Sequence, residues 1–278
     1  MKKSLIEMKL RKTAIFLVMI LFYCGTVEGQ SIPQIENTIL KDTKRLNYLE
    51  TEMQKGIDSY DSMVIISKNL LDYLKIALKK QPASISADFK VKNTGMNILT
   101  SDDGKVRIYC WYVGRGGTAL SFDALIQYKT STGTKVKVLN DDSKRTERDI
   151  LTGSCYTKLY TYQTNDSGTV YLEIDHVVAW NAGGEYNAGA FAIKNNKLLW
   201  GVPFFKTSTK TKSSIGYEYD LSSKKNSKLD FKDINIKVSD DKQTLSIPLT
   251  TSDGIITGKY LVYKFDGNEF VFDKSANK

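Results

Sequence analysis

The sequence predicts a mainly β protein. An N-terminal helical segment, about residues 33–81, precedes one antiparallel β domain, a sandwich or barrel, from about 88 to 275. Three observations carry this. Apolar residues recur at helical spacing up to Pro82. Beyond Asp88, short runs rich in Tyr, Thr, Val and Ile alternate between apolar and polar positions. Gly and Asn-Asp pairs punctuate those runs, while Pro is nearly absent. Roughly 250 residues remain after the leader described next, ample chain to bury a core.

Residues 1–29 have the layout of a secretory signal peptide. Lys9, Arg11 and Lys12 form a positive region, an apolar run spans Ala14 to Tyr23, and small residues Val27 and Gly29 precede a cleavage point. Met8 is a plausible start for the same leader. The run is shorter than the about 20 apolar residues a membrane span needs. A lipid anchor at Cys24 is disfavoured, because Tyr23 stands where such a site wants Gly, Ala or Ser. The expected location is the periplasm, the cell surface or the medium.

Ile35, Ile39, Leu46, Leu49 and Met53 mark one apolar helical face, and Met63, Ile66, Leu70, Leu71, Leu74 and Leu78 mark a second. Gly56 interrupts, Asp58 or Ser59 suits a cap, and Pro82 stops the pattern. A hairpin or one long kinked helix satisfies this spacing. Packing against the later domain is the simplest way to cover the apolar faces; self-association through a coiled-coil-like seam is the alternative.

Strands are expected at Lys105–Tyr112, Leu120–Lys129, Cys155–Gln163, Thr169–Trp180, Ala190–Lys194 and Leu198–Phe205. Others are expected at Ile215–Tyr219, Ile234–Val238, Thr244–Leu249, Lys259–Phe265 and Glu269–Phe272. Asp102-Asp103-Gly104, Asn165-Asp166-Ser167-Gly168, Ser252-Asp253-Gly254 and Asp266-Gly267 each precede a strand as hairpin turns. Their unequal spacing disfavours a propeller.

The chain has a net charge of +9, and loss of the leader removes five basic and two acidic residues to leave +6. The lysines are scattered, apart from Lys206, Lys210 and Lys212, which read as a solvated loop. Export and the lack of a nucleic-acid motif argue against nucleic acid as a partner. One His and no Cys-x-x-Cys leave metal binding unsupported, and no cofactor signature appears. Asp102-Asp103-Gly104 lacks the spaced oxygen ligands of a Ca²⁺ loop. Cys110 and Cys155 form either a disulfide or two buried thiols.

Two segments offer ligand-binding chemistry. Trp111–Thr118 and Trp180–Asn187 each place an aromatic at a strand end before a Gly-rich stretch. Exposed aromatics beside polar groups hold sugars and peptides by stacking and hydrogen bonding. The expected binding residues are Trp111, Tyr112, Arg115, Trp180, Asn181, Glu185 and Tyr186; hairpin loops with core Trp residues are the competing reading. Gly114–Gly117 lacks the Lys-Ser/Thr ending of a phosphate loop.

Glu173 and Asp175 project to one face of a strand about 7 Å apart, with Glu185 nearby, and a carboxylate pair is the equipment of glycoside hydrolysis. That face could equally be solvent. His176 lies on the opposite face and reads as structural, and no Gly-x-Ser-x-Gly marks a nucleophile.

Ser101–Tyr109, Gly116-Gly117-Thr118, Phe122–Lys129 and the closing Gly258–Gly267 resemble a pattern in uncharacterised exported proteins of Bacteroidetes-type bacteria. The resemblance implies an envelope-associated β domain behind a signal peptide. It supplies no activity and no catalytic residues.

The expected function is therefore a non-enzymatic exported protein that binds an envelope component, a glycan or a partner protein. An envelope polysaccharide hydrolase using Glu173, Asp175 or Glu185 is the alternative. A structural assembly protein docking through the 33–81 helices is the third.

Overall fold

The computed structural model describes residues 30–91, 94–116, 119–140, 153–166, 168–180, 183–229 and 234–276. The leader and Cys24 lie outside these residues.

Two helices open the described chain, α1 (Ile32–Gln54) and α2 (Tyr60–Lys80). Ser31 and Gln34 form a capping box at the start of α1, and Gly56, at φ +87°, takes a backbone state that only glycine adopts freely as the chain turns. Asp58 accepts from the Tyr60 N–H ahead of α2, and Lys79 and Lys80 sit in its last turn. A 3₁₀ turn, Pro82–Ser86, follows. The hairpin reading thus holds.

Three sheets succeed the helices. The first has the order β1 (Met96–Thr100), β2 (Val106–Gly116), β3 (Ala119–Thr130), β4 (Gly133–Asn140). The second contains β5 (Cys155–Thr164), β6 (Gly168–Trp180), β7 (Gly183–Lys194), β8 (Lys197–Trp200) and β11 (Ser214–Asp220). Its path is β11-β7-β6-β5, with β8 also pairing β7. The third contains β9 (Phe205–Lys206), β10 (Thr211–Lys212), β12 (Lys237–Val238), β13 (Thr244–Thr250), β14 (Ile256–Phe265) and β15 (Phe270–Phe272). Pairing is antiparallel except at β15–β9, where Phe270 aligns with Phe205 in parallel. The arrangement is sandwich-like and mainly β.

Each layer buries its apolar face against the next. Ile35, Ile39, Leu70 and Leu74 of the helices pack on Tyr109, Trp111 and Leu125, which occupy one face of the first sheet. The helical segment therefore packs against the β domain. The opposite face, with Val106, Ile108, Cys110 and Ile126, meets Tyr156, Tyr171 and Phe191 of the second sheet. The second sheet turns Leu172, Ile174, Ala188 and Tyr217 toward Leu245, Ile247 and Phe270 of the third. Period-two alternation lets one strand serve two cores.

Polar side chains fasten these layers. Arg107 donates to the carbonyls of Ser84 and Ala87, at 2.8 and 2.7 Å, so the 3₁₀ turn is tied to β2. Gln127 donates to the Leu78 carbonyl and Ser84 Oγ, and accepts from Tyr109. The Asp102-Asp103 turn joins all three sheets. Asp102 accepts from the Thr161 N–H and from Lys242 Nζ, while Asp103 accepts from the Tyr171 hydroxyl. Both carboxylates are thus engaged in protein contacts.

Candidate functional site

Of the seven residues expected to bind ligand, the four with described side chains, Trp111, Tyr112, Glu185 and Tyr186, do not form a common surface. Trp111 lies in β2 at 1% exposure, under α2, with its Nε1 donating to Ser67 Oγ at 2.7 Å. Ser67 in turn donates to Asp123, directly across the ladder from Trp111. Hydrophobic burial and this polar chain fix the indole as core, so it cannot stack on a ligand. Tyr112 is half-buried and donates to Glu50 Oε2 of α1. Tyr186 is buried and stacks on His176, with ring centroids 4.1 Å apart. The side chains of Arg115 and Trp180, and all of Asn181, lie outside the described residues. Nor are the described parts of the two segments loops: Trp111–Gly116 belongs to β2 and Gly183–Asn187 to β7. Glycine there answers to close packing, since a Cβ at Gly184 would collide with the Val177 carbonyl.

His176 is structural, as its position suggested. Its Nε2 meets the Tyr219 hydroxyl at 2.5 Å, and burial lowers its pKa to about 4, which keeps the ring neutral.

The structure instead draws attention to Glu173 and Asp175. Both are on β6, on the face toward the first sheet, and both are buried, at 2% and 9% exposure. One carboxyl oxygen of each, Glu173 Oε2 and Asp175 Oδ1, has no hydrogen-bond partner. Buried polar groups are rarely left so, and an unmade bond to a charged group costs several kcal/mol on the usual scale, about 1–3 or more. Burial, reinforced by the charge of Asp175, pushes the Glu173 carboxyl well above the ordinary carboxylate range. Burial raises Asp175 to about 6; hydrogen bonds from Ser154 and Asn187 oppose the rise, and the Glu185 charge adds to it.

The two residues line a pocket of about 270 Å³ together with Asn187, Gly189, Trp200 and Ser213, among others. The ladder explains the shape. Glu173 pairs with Gly189, and Asp175 with Asn187, across β6–β7. A Cβ at Gly189 would collide with Glu173 Oε1, so glycine is what leaves the carboxyl its place. Trp200 ends β8 at the pocket rim. One face of its indole stacks on Phe191, at 4.6 Å and 3°, and Tyr156 meets it edge-on, yet the residue stays 41% exposed. A rigid exposed aromatic over a polar pocket is a common ligand seat. Sequence reasoning singled out the carboxylates, and its Trp180–Asn187 segment reached Asn187, but it missed Trp200.

Cys110 and Cys155 are free thiols in contact with each other. Cys110 is buried in β2 and donates to the Ser154 carbonyl at 3.6 Å, beside Cys155 at the start of β5. Lys206 and Glu269 come within 3.7 Å on the exposed β9–β10 side, so the small lysine group is a solvated surface. Among the described residues, no group of three His, Cys, Asp or Glu side chains is placed to hold a metal ion, and no helix is long and apolar enough to cross a membrane. No family model, curated protein or solved structure matches the chain.

Proposed function

We propose that this chain is an exported binding protein that seats a small hydroxyl-bearing ligand, of the size of one sugar unit, in the Glu173–Asp175–Trp200 pocket. The observation that carries this reading is a pair of buried carboxyls, each with one unpartnered oxygen, lining a cavity whose wall also holds a partly exposed indole. Ligand hydroxyls would supply the missing bonds to Glu173 and Asp175. The apolar face of a ring would lie on Trp200. Asn187, fixed by its ladder position opposite Asp175, adds an amide that both donates and accepts. The ligand seat moves from the Trp111 and Trp180 segments to the middle of the second sheet.

The test is a thermal-shift and calorimetric screen of soluble mono- and oligosaccharides. A saturable interaction should weaken at least tenfold in Trp200→Ala and in Glu173→Gln. Binding that persists in both variants would overturn the assignment of the pocket.

Hydrolysis is the second reading, because the two carboxyls differ in proton affinity as an acid and a base must. The i, i+2 spacing of about 7 Å also falls within the inverting range. Binding is favoured over it by geometry: Glu173 and Asp175 stand side by side on one strand face, whereas the acid and base of an inverting enzyme act from opposite sides of the sugar ring. Release of reducing ends that is abolished by Glu173→Gln would reverse this preference.

A further inference from the structure

The charge of the pocket face narrows the ligand class. Across β6, β7 and β11 the register sets Glu173 beside Gly189, Asp175 beside Asn187, Val177 beside Glu185, and Glu185 directly opposite Glu218. Residues facing each other across a ladder share a face. Glu173, Asp175, Glu185 and Glu218 therefore project from one side of three neighbouring strands. Glu185 and Glu218 also line an adjoining pocket of about 410 Å³, and Asn187 is common to both pockets. Like charges directly opposite in a sheet are destabilising. No Lys or Arg among the described residues pairs with any of the four. Yet the chain as a whole carries a net charge of +9. A basic protein has thus gathered four acids on one face with no cation paired to them among the described residues.

We infer that the ligand carries a protonated primary amine, an amino sugar being the class whose size and hydroxyls suit the cavity. This rests on the pocket reading above. A neutral polyol could bond to the pocket-lining carboxyls of Glu173 and Asp175 but would leave the acidic face without a countercharge. An ammonium group supplies three donors and the missing charge together. The exposed indole of Trp200 adds a face that attracts cations as well as sugar C–H bonds. A divalent metal is a poorer occupant, because Ca²⁺ needs six to eight converging oxygens and no three acidic groups converge here.

Isothermal titration of the purified protein with glucosamine, glucose and N-acetylglucosamine decides the matter. The three share a ring and differ in whether position 2 carries an ammonium, a hydroxyl or an uncharged amide. Glucosamine should bind saturably and at least tenfold more tightly than either neutral sugar. Its affinity should fall at least tenfold in Glu173→Gln/Asp175→Asn, whose near-isosteric amides relieve a buried charge and are expected to fold. Equal binding of all three, or preference for a neutral sugar, overturns the amine and leaves the pocket reading standing. Glucosamine binding that survives the double variant reports diffuse attraction to surface acids and overturns the inference. Absence of binding by all three sugars overturns both readings.

Discussion

Asp175 and Glu173 tie stability to pH in a direction opposite to most native carboxylates. Burial raises Asp175 to about 6 from an ordinary value of 3.8, and Glu173 is raised as well. Between the unfolded and folded values the native state holds more protons than the unfolded chain. Its stability therefore falls as pH rises, in full below about pH 4 and lost through about pH 6 for Asp175. At 1.36 kcal/mol per unit, that shift is on the order of 3 kcal/mol. Asp175→Asn removes the titration and keeps an amide facing Ser154 and Asn187. Urea unfolding at pH 4 and pH 8 should show the variant gaining on the wild type by about 2–3 kcal/mol between the two. A constant difference across that range would mean that water reaches the carboxyl in the native state. A bound cation would act in the same direction as the substitution, by stabilising the ionised form.

The helical hairpin and the first sheet depend on each other. Trp111 shows why: it was legible as an aromatic at a strand end, but alternation alone cannot tell which face of a sheet is covered. Here α2 covers it, and Ser67 and Asp123 satisfy its N–H. Trp111→Ala should cost about 3–5 kcal/mol, the usual loss for a buried large aromatic, and leave ligand affinity unchanged at temperatures where the variant is folded. A stable variant with lost affinity would return the binding site to the Trp111 segment. Both helices were visible from their 3.6-residue period and from Gly56 and Pro82, and most strands from their alternation. β1 and β4 were not. β4 carries Lys135 and Lys137 and has no fully buried residue, so its apolar signal is faint. The start of β7 resembled a loop because Gly183 and Gly184 are needed for close backbone approach, which looks in sequence like a turn. The Glu173–Asp175 pair could be placed on one face of a strand; its burial follows from stacking against another sheet, which no local pattern encodes.

At the scale of the molecule the four layers are joined mostly by side-chain packing, and the one place where a covalent tie can form lies between the first and second sheets. Cys110 belongs to β2 and Cys155 to β5, and the two thiols lie side by side. The neighbouring Cys110 thiol holds the Cys155 thiol below its usual value, helped by Asn97 at 3.5 Å, whereas burial pushes Cys110 well up. Cys155 is also the more accessible of the two. It should therefore react first. With oxidised glutathione as oxidant, the Cys155 thiolate attacks one sulfur and releases one reduced glutathione. Cys110, losing its proton to solvent, then attacks Cys155 and releases the second. The resulting bridge closes a loop of about 45 residues and should stabilise by roughly 3–4 kcal/mol, or about 10 °C in Tm. The expected outcome is loss of both thiols to alkylation under denaturing conditions after oxidation, with a raised Tm that reductant reverses. Cys155→Ser should abolish the change, and in Cys110→Ser the reaction should stop at a stable glutathione adduct on Cys155. Two thiols that remain alkylatable after oxidation would mean that the first and second sheets hold these sulfurs out of bonding reach, which would place the seam beside Tyr156 farther open than the packing of Ile108 and Phe191 implies.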